Sequence, residues 1–401
     1  MYPTIYHAFQ DIFGIELSFL KIANTFGLFV ALAFLAANYI MTLELKRKEK
    51  EGILNPLNYK VILGKTLPVY DFVINTIFGF IIGYKFVPLL INKAIIDNGV
   101  QQFIFSLKGN WISGIILAVL FFYFKKRESD KQKLPEPIEK EIVLHPWQNM
   151  GYFTIVAAVA GIAGAKIFHW FEYWDDFVKY PLENIFSASG LTFFGGLIAG
   201  GAGVLWAARK KGISALNMLD VGAPAMMLAY GVGRIGCHLS GDGDWGIVNT
   251  TTKPSFLSFM PDWFWAYNYP NNVAGQCDPT NGNMPCSFEI TPYLLKPVFP
   301  TPLWEAIAAI LLFGVLWFLR KRIKTTGVLF GIYLLFAAVE RFLIETIRVN
   351  SKYNILGMHP SQAELISVFL FISGIILIYF SMKKRNEKIE TNGSGLGDVT
   401  E

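Results

Sequence analysis

Nine long apolar blocks separated by short polar connections leave this chain few ways to fold. They lie at about 16–41, 71–95, 101–124, 151–171, 190–208, 215–236, 303–320, 327–348 and 361–380. A hydrocarbon core about 30 Å thick takes roughly 20 helical residues. In that solvent every backbone N–H and C=O must be satisfied within the segment or a closed barrel, so blocks of this length predict transmembrane helices. Only 16% of the 401 residues are charged and 53% are hydrophobic, which excludes an ordinary soluble domain. The expectation is an all-α polytopic integral membrane protein, a helical bundle of about nine spans in a single domain over 1–385. Residues 237–300 would be a long polar loop region and 386–401 a disordered polar tail.

Orientation follows from the connections, because short cytoplasmic loops are enriched in Lys and Arg. Lys46, Arg47, Lys48 and Lys50 follow the first block, and Lys125, Lys126, Arg127, Lys131 and Lys133 follow the third. Arg209, Lys210 and Lys211 follow the fifth, Arg320, Lys321, Arg322 and Lys324 the seventh, and Lys383, Lys384 and Arg385 the ninth. The intervening connections are neutral or acidic, as at Glu172, Asp175 and Asp176. Every second connection is basic, which predicts an N-terminus outside and a C-terminus in the cytoplasm. The net charge of +5 is thereby absorbed by topology and gives no reason to expect nucleic acid. Residues 1–15 lack a basic n-region, so the first block is expected to stay as a span. Two of the three cysteines, Cys277 and Cys286, sit in the outer stretch, where either a disulfide or two free thiols would fit.

Charges inside the blocks are costly unless paired or beside water, and so they mark candidate sites. Arg234 lies near the outer end of the sixth block in "GVGRIGCHLSGDGDWG". An arginine there could simply snorkel to the headgroups. The surrounding glycines, including Gly236 and Gly246, and the two acids Asp242 and Asp244 argue instead for close approach of a ligand or another backbone. The two aspartates lack the remaining ligands of a calcium loop, and no metal site is expected. In the eighth block, "VERFLIETIRVN" carries Arg341, Glu345 and Arg348 at i, i+4 and i+7, on one helical face. That stripe must face a polar interior, where Glu345 can orient both guanidinium groups. A structural ion-pair network and an outer-leaflet phosphate clamp both fit, and three arginines at one depth favour the clamp. "GLTFFGGLIAGGAG" adds Gly195 and Gly196, which permit close helix packing.

The ordered set "FFGGLIAGG", "GVGRIGCHLSGDGDWG", "PTPLWEA" and "RFLIETIR" resembles the prolipoprotein diacylglyceryl transferase family of bacterial inner membranes. The likeness covers roughly 150–380 together with the first span. It implies about seven family-type spans, with two further segments inserted within 71–124, and an active site facing the periplasm. The implied reaction moves the diacylglyceryl group of phosphatidylglycerol to the thiol of a lipobox cysteine in a prolipoprotein and releases glycerol phosphate. On this likeness Arg234 binds the phospholipid headgroup, Arg341 is essential, and Glu345 holds Arg341. Arg348, Gly195, Gly196, Gly236, Asp242, Asp244, Gly246 and Glu305 would complete the lipid site. The implied partners are phosphatidylglycerol, lipobox peptides and the surrounding membrane lipid; no cofactor is implied, and a monomer is expected.

Two positions depart from the family pattern. Phe194 stands where relatives carry His or Tyr, and Phe299 where they often carry His. A phenylalanine takes no proton, so either another group accepts the thiol proton, with His238 a candidate by proximity, or the arginines lower the thiol pKa themselves. His238 could equally be a helix-end residue bonded to carbonyls. Glu305 could pair with an arginine or cap the seventh span. The competing class is a lipid or solute transporter, which would place its charges at midplane in two related halves.

Overall fold

The computed structural model describes residues 1–64, 66–92, 95, 100–134, 136, 138–186, 192–277, 293–349, 353–354 and 359–394. Its helices are α1 (Ile5–Phe13), α2 (Thr25–Lys50), α3 (Val69–Ile91), α4 (Val100–Phe105), α5 (Trp111–Gln132), α6 (Met150–Glu172), α7 (Trp174–Lys179), α8 (Pro181–Phe186), α9 (Phe193–Lys210), α10 (Ala215–Ser240), α11 (Thr301–Leu319), α12 (Val328–Glu345) and α13 (Gln362–Ser394). Strands β1 (Leu57–Leu63) and β2 (Ile138–Leu144) form an antiparallel ribbon. Among the described residues six helical stretches are long and apolar enough to cross a membrane: Thr25–Lys50, Val69–Ile91, Pro146–Glu172, Ala215–Ser240, Thr301–Leu319 and Gln362–Glu387. The protein is therefore a polytopic helical membrane protein.

Helix boundaries follow local capping chemistry. The block read as 16–41 opens with a short 3-10 turn over Ser18–Ile22 and becomes α-helical only at Thr25, where the Asn24 side chain accepts the Gly27 N–H at 3.3 Å. The block read as 101–124 is broken: α4 ends at Phe105, and α5 begins at Trp111 with the Asn110 side chain accepting the Ser113 N–H at 3.1 Å. The polar tail expected from 386 continues α13 as far as Ser394, and 395–401 lie outside the described residues.

The chain divides into two compact units. One holds Thr4–Ala23 and Gly52–Val204. In it α3 and α5 pack through small residues: a Cβ on Gly83 would sit 2.1 Å from the Ser113 carbonyl oxygen. Gly79 and Gly114 are similarly crowded by Phe121 and Phe80. The ribbon pairs Leu57 with Leu144 and so ties together the two ends of this hairpin.

The second unit holds Met1–Pro3, Asn24–Glu51 and Leu205–Glu401, and α10 is its centre. Half of the most apolar window of α10 is buried, against 28% or less for the other five spans. Ala223 and Met227 of α10 pack with Ala309 and Leu316 of α11 and Leu329 of α12. Gly236 meets α2 so closely that a Cβ would lie 2.6 Å from that of Phe29. The Asp220 carboxylate reaches across from α10 and accepts the backbone N–H of Gly327 at 2.8 Å and of Phe330 at 3.0 Å, capping α12 from outside its own chain segment.

Beyond α10 the chain leaves regular structure at Gly241, whose φ of 66° closes the helix. The polar stretch that follows is held by isolated bridges, Gly246 with Arg348 and Val298 with both Val248 and Tyr267. Trp245, Tyr269, Leu294 and Val298 form its small core.

Candidate active site

The site grows from the C-terminal part of α10, the N-terminal part of α11 and the C-terminal part of α12. Glu305 is completely buried on α11 and is the hub. Its Oε2 meets Arg234 Nε, while its Oε1 takes Arg348 Nη1 at 3.3 Å and Arg341 Nη1 at 3.5 Å. Asp244 is a second bridge, its Oδ2 on Arg234 Nη1 and its Oδ1 on Arg348 Nη2 at 2.6 Å. Glu345 holds the remaining guanidinium, 3.2 Å from Arg341 Nη2. Three arginines from two helices and a turn thus converge on shared carboxylates, which is the geometry charge-assisted hydrogen bonds favour.

The sequence expectation and the structure part at Arg348. Helix α12 ends at Glu345, so Arg348 does not extend a helical stripe. It lies in the bridge to Gly246 and returns its guanidinium to the cluster, where Glu305 joins it to Arg341. The bridge explains Gly246: a Cβ would stand 2.7 Å from the Ile347 carbonyl oxygen and 2.9 Å from Phe299 Cβ. The Gly246 N–H donates to the Phe299 carbonyl at 2.9 Å, and Thr301 Oγ1 donates to the Asp244 carbonyl, also at 2.9 Å. Phe299 builds an aromatic wall with Trp265 and Trp304, its ring centroid 5.5 and 5.6 Å from theirs.

Exposure is uneven across the cluster. Arg348 is buried, while Arg341 retains 26% of its side-chain surface and Asp244 35%. Burial alone would raise the Asp244 carboxyl, but Arg234 and Arg348 outweigh it and hold the group below its ordinary value. The neighbouring Asp242 moves the other way, raised by burial and by the charge of Asp244.

The other predicted residues fall in different surroundings. His238 is buried with Nδ1 3.2 Å from the Tyr269 hydroxyl, in an aromatic group with Tyr267. Tyr269 is itself fully buried in a left-handed conformation, φ 45°. Gly195 and Gly196 belong to the other compact unit, where they pack against α6; a Cβ on Gly195 would stand 2.5 Å from that of Phe168. Cys237 is a free, buried thiol, and Cys286 lies outside the described residues, with any pairing it makes. Sequence reasoning missed Tyr230, whose ring lies 5.3 Å from Arg234 Cζ and whose hydroxyl donates to Glu340 Oε1 at 3.5 Å. Its position one turn before Arg234 was the available signal.

Helices and a turn of a polytopic membrane protein that gather three arginines around buried acids, with a guanidinium left partly open, define a membrane protein equipped to hold an anionic group. The chain belongs to the prolipoprotein diacylglyceryl transferase family, which it matches over residues 114–380. That match begins inside α5, earlier than the 150 at which the sequence motifs placed it. The chain is similar to the phosphatidylglycerol–prolipoprotein diacylglyceryl transferase of Enterococcus faecalis, 27% identical over 295 residues that make up 70% of this chain and 91% of that relative. It is 25% identical to the protein of the same name from Oceanobacillus iheyensis over 280 residues, 69% and 85% of the two chains. A relative of that name from Neisseria meningitidis is 28% identical over 233 residues, 57% and 77% of the two chains.

Proposed function

We propose that this transferase moves the diacylglyceryl group of phosphatidylglycerol to the thiol of a lipobox cysteine. The carbon–oxygen bond to phosphate breaks, a carbon–sulfur bond forms, and glycerol phosphate leaves. One observation carries the reading: Arg234, Arg341 and Arg348 share Glu305, so three cationic groups are pre-oriented on one point. The leaving phosphate gains charge as its bond to carbon breaks. Guanidinium groups already fixed in place stabilise that charge without reorganising.

Within this reading Arg341, the more open cation, meets the phosphate together with an edge of Arg234. Glu305, Glu345 and Asp244 hold the guanidiniums in register. Gly246 lets the loop close on Arg348, and Gly236 brings α10 against α2. His238 anchors the aromatic loop through Tyr269. Gly195 and Gly196 serve close packing of their helix on α6. Nine spans are the arrangement we infer from the apolar blocks, and the loop charges put the N-terminus outside and the C-terminus in the cytoplasm; an inner-membrane enzyme with a periplasmic site follows from the family, and a monomer is our expectation. A transporter is the less favoured reading, because the charges of the cluster lie at the ends of α10, α11 and α12 and not along a path between two related halves.

The test uses purified protein in detergent with phosphatidylglycerol and a lipobox peptide, following peptide mass and released glycerol phosphate. Diacylglyceryl addition by the wild type, lost in folded Arg234→Ala and Arg341→Ala, supports the reading. A folded wild type that leaves the peptide unmodified, where a relative modifies it, overturns it.

A further inference from the structure

Transfer to a thiol needs a proton acceptor, and Phe194 cannot serve. Resting on the transferase reading, we propose that the Asp242 carboxylate takes the proton of the substrate thiol. The step balances: the S–H proton goes to an Asp242 oxygen, the sulfur lone pair attacks the glyceryl carbon, and the carbon–oxygen pair leaves with glycerol phosphate. The proton then passes to the departing phosphate or to water.

Elimination among the acids at the site carries the choice. Glu305 is ion-paired to three guanidiniums, Asp244 to two and Glu345 to one. Carboxylates so paired are poor proton acceptors. Among the described residues Asp242 and Glu340 are the acids beside the cluster with no cation within ion-pair distance. Glu340 is buried between helices against Tyr230. Asp242 sits on the loop, half-buried, with Oδ1 accepting the Asp244 N–H at 3.3 Å. That bond fixes it beside the acid that bridges Arg234 and Arg348.

The same corner already accommodates sulfur. Cys237 Sγ, an Asp242 oxygen and an Asp244 oxygen lie within 4.8 Å of one another, and Cys237 Sγ is 3.7 Å from Arg234 Nη1. A sulfur can thus stand within reach of both a carboxylate and a guanidinium. Burial and the charge of Asp244 also raise the proton affinity of Asp242, whose other facing groups are Cys237 and Arg234 of α10.

The experiment compares two lipobox peptides, one with cysteine and one with selenocysteine kept reduced. The selenol is ionised at neutral pH and needs no base. Asp242→Asn keeps an oxygen for the Asp244 N–H; it is expected to lose about 10²–10³-fold in transfer to the thiol, within the range for a general base. Transfer to the selenol should stay within about 3-fold of wild type, because no proton is removed. Asp242→Glu, which keeps the carboxylate, should recover much of the thiol reaction, and it carries the test if the asparagine variant fails to fold. Equal loss toward both peptides, or undiminished thiol transfer by Asp242→Asn, overturns the assignment. So does a thiol-selective loss in Glu340→Gln instead. A wild type that modifies neither peptide overturns the transferase reading itself and this proposal with it.

Discussion

The second unit buries charge at both ends of α10, and the two ends are built differently. Near its start, Glu44 of α2 is fully buried and meets Arg320, with Arg47 2.9 Å away. Lys48 lies 3.7 Å from Asp220 and 3.1 Å from Asn217 Oδ1, and Asp220 also caps α12. Arg320 stacks on Trp317, 3.2 Å from its ring centroid, and donates Nε to the Trp317 carbonyl. Each ion there is satisfied by a near neighbour or by backbone. At the far end one acid serves three arginines, and Arg341 and Asp244 keep open edges. Burial of charge is common to both; what sets a site apart is cationic capacity left facing outward.

The largest expected effect breaks the open end. Arg234→Ala and Arg341→Ala should each lower turnover by about 10³-fold, the scale of removing a pre-oriented group from a developing charge. Arg341→Lys should recover only part of it, because one ammonium cannot serve both Glu305 and Glu345 as a planar fork does. Turnover by single-turnover release of glycerol phosphate measures both. Glu305→Gln comes next: it keeps the shape but removes the hub charge, and a loss of about 10²-fold is expected as the guanidiniums shift. Thermal unfolding should fall with it, since breaking a buried pair costs about 3–5 kcal/mol. A Glu305→Gln protein with wild-type turnover would show that the arginines need no common acid.

Smaller losses probe the loop. Gly246→Ala must move the Ile347 carbonyl from 2.7 Å, displacing Arg348 by a fraction of an ångström. About 10-fold lower turnover is expected, below the roughly 10² that a full 1 Å misplacement can cost. Acid separates the two aspartates. Asp242, whose value is raised, protonates first as pH falls, while Asp244, whose value is lowered, keeps Arg234 and Arg348 paired. Turnover should therefore drop about tenfold per pH unit below the Asp242 value while the fold still holds, because a base acts only when unprotonated. Parallel pH profiles of rate and melting temperature check the order; melting that precedes the loss of rate would break it.

Much of this was legible in the sequence. Block length announced the helices, and intramembrane arginines announced the cluster, because both express the cost of polar groups in hydrocarbon. Arg234, Arg341 and Glu345 stand out that way, whereas Glu305 came from the family likeness. What the sequence could not supply was where a helix stops. The i, i+7 spacing placed Arg348 on a helical face, yet α12 ends three residues earlier and the arginine reaches Glu305 from a turn. The interruption at 106–110 left a local signal in Lys108, Gly109 and Asn110, but the apolar stretches on either side read as one block. The pairs near the start of α10 escaped notice for a different reason. Arg47, Lys48 and Arg320 read as loop charge, and Glu44 and Asp220 are single acids near block ends, so only three-dimensional pairing reveals them.

The pairs near the start of α10 supply the sharpest contrast and the smallest expected change in turnover. Asp220→Asn leaves one oxygen to accept a backbone N–H of α12 but strands Lys48 as a buried cation without its counter-charge. That should destabilise the protein by about 3 kcal/mol, the lower end for a broken buried pair. Turnover measured below the melting temperature should stay within about 2-fold of wild type, since Arg234 lies 14 residues further along α10 and effects at distant, unshared sites are close to additive. The double variant Asp220→Asn with Arg341→Lys then tests independence: the losses in melting temperature and in rate should each match the corresponding single variant. A rate that falls further in the double variant would mean that packing at one end of α10 sets the arginine geometry at the other, and the network around Asp220 and Lys48 would have to be counted among the positioning elements of the site.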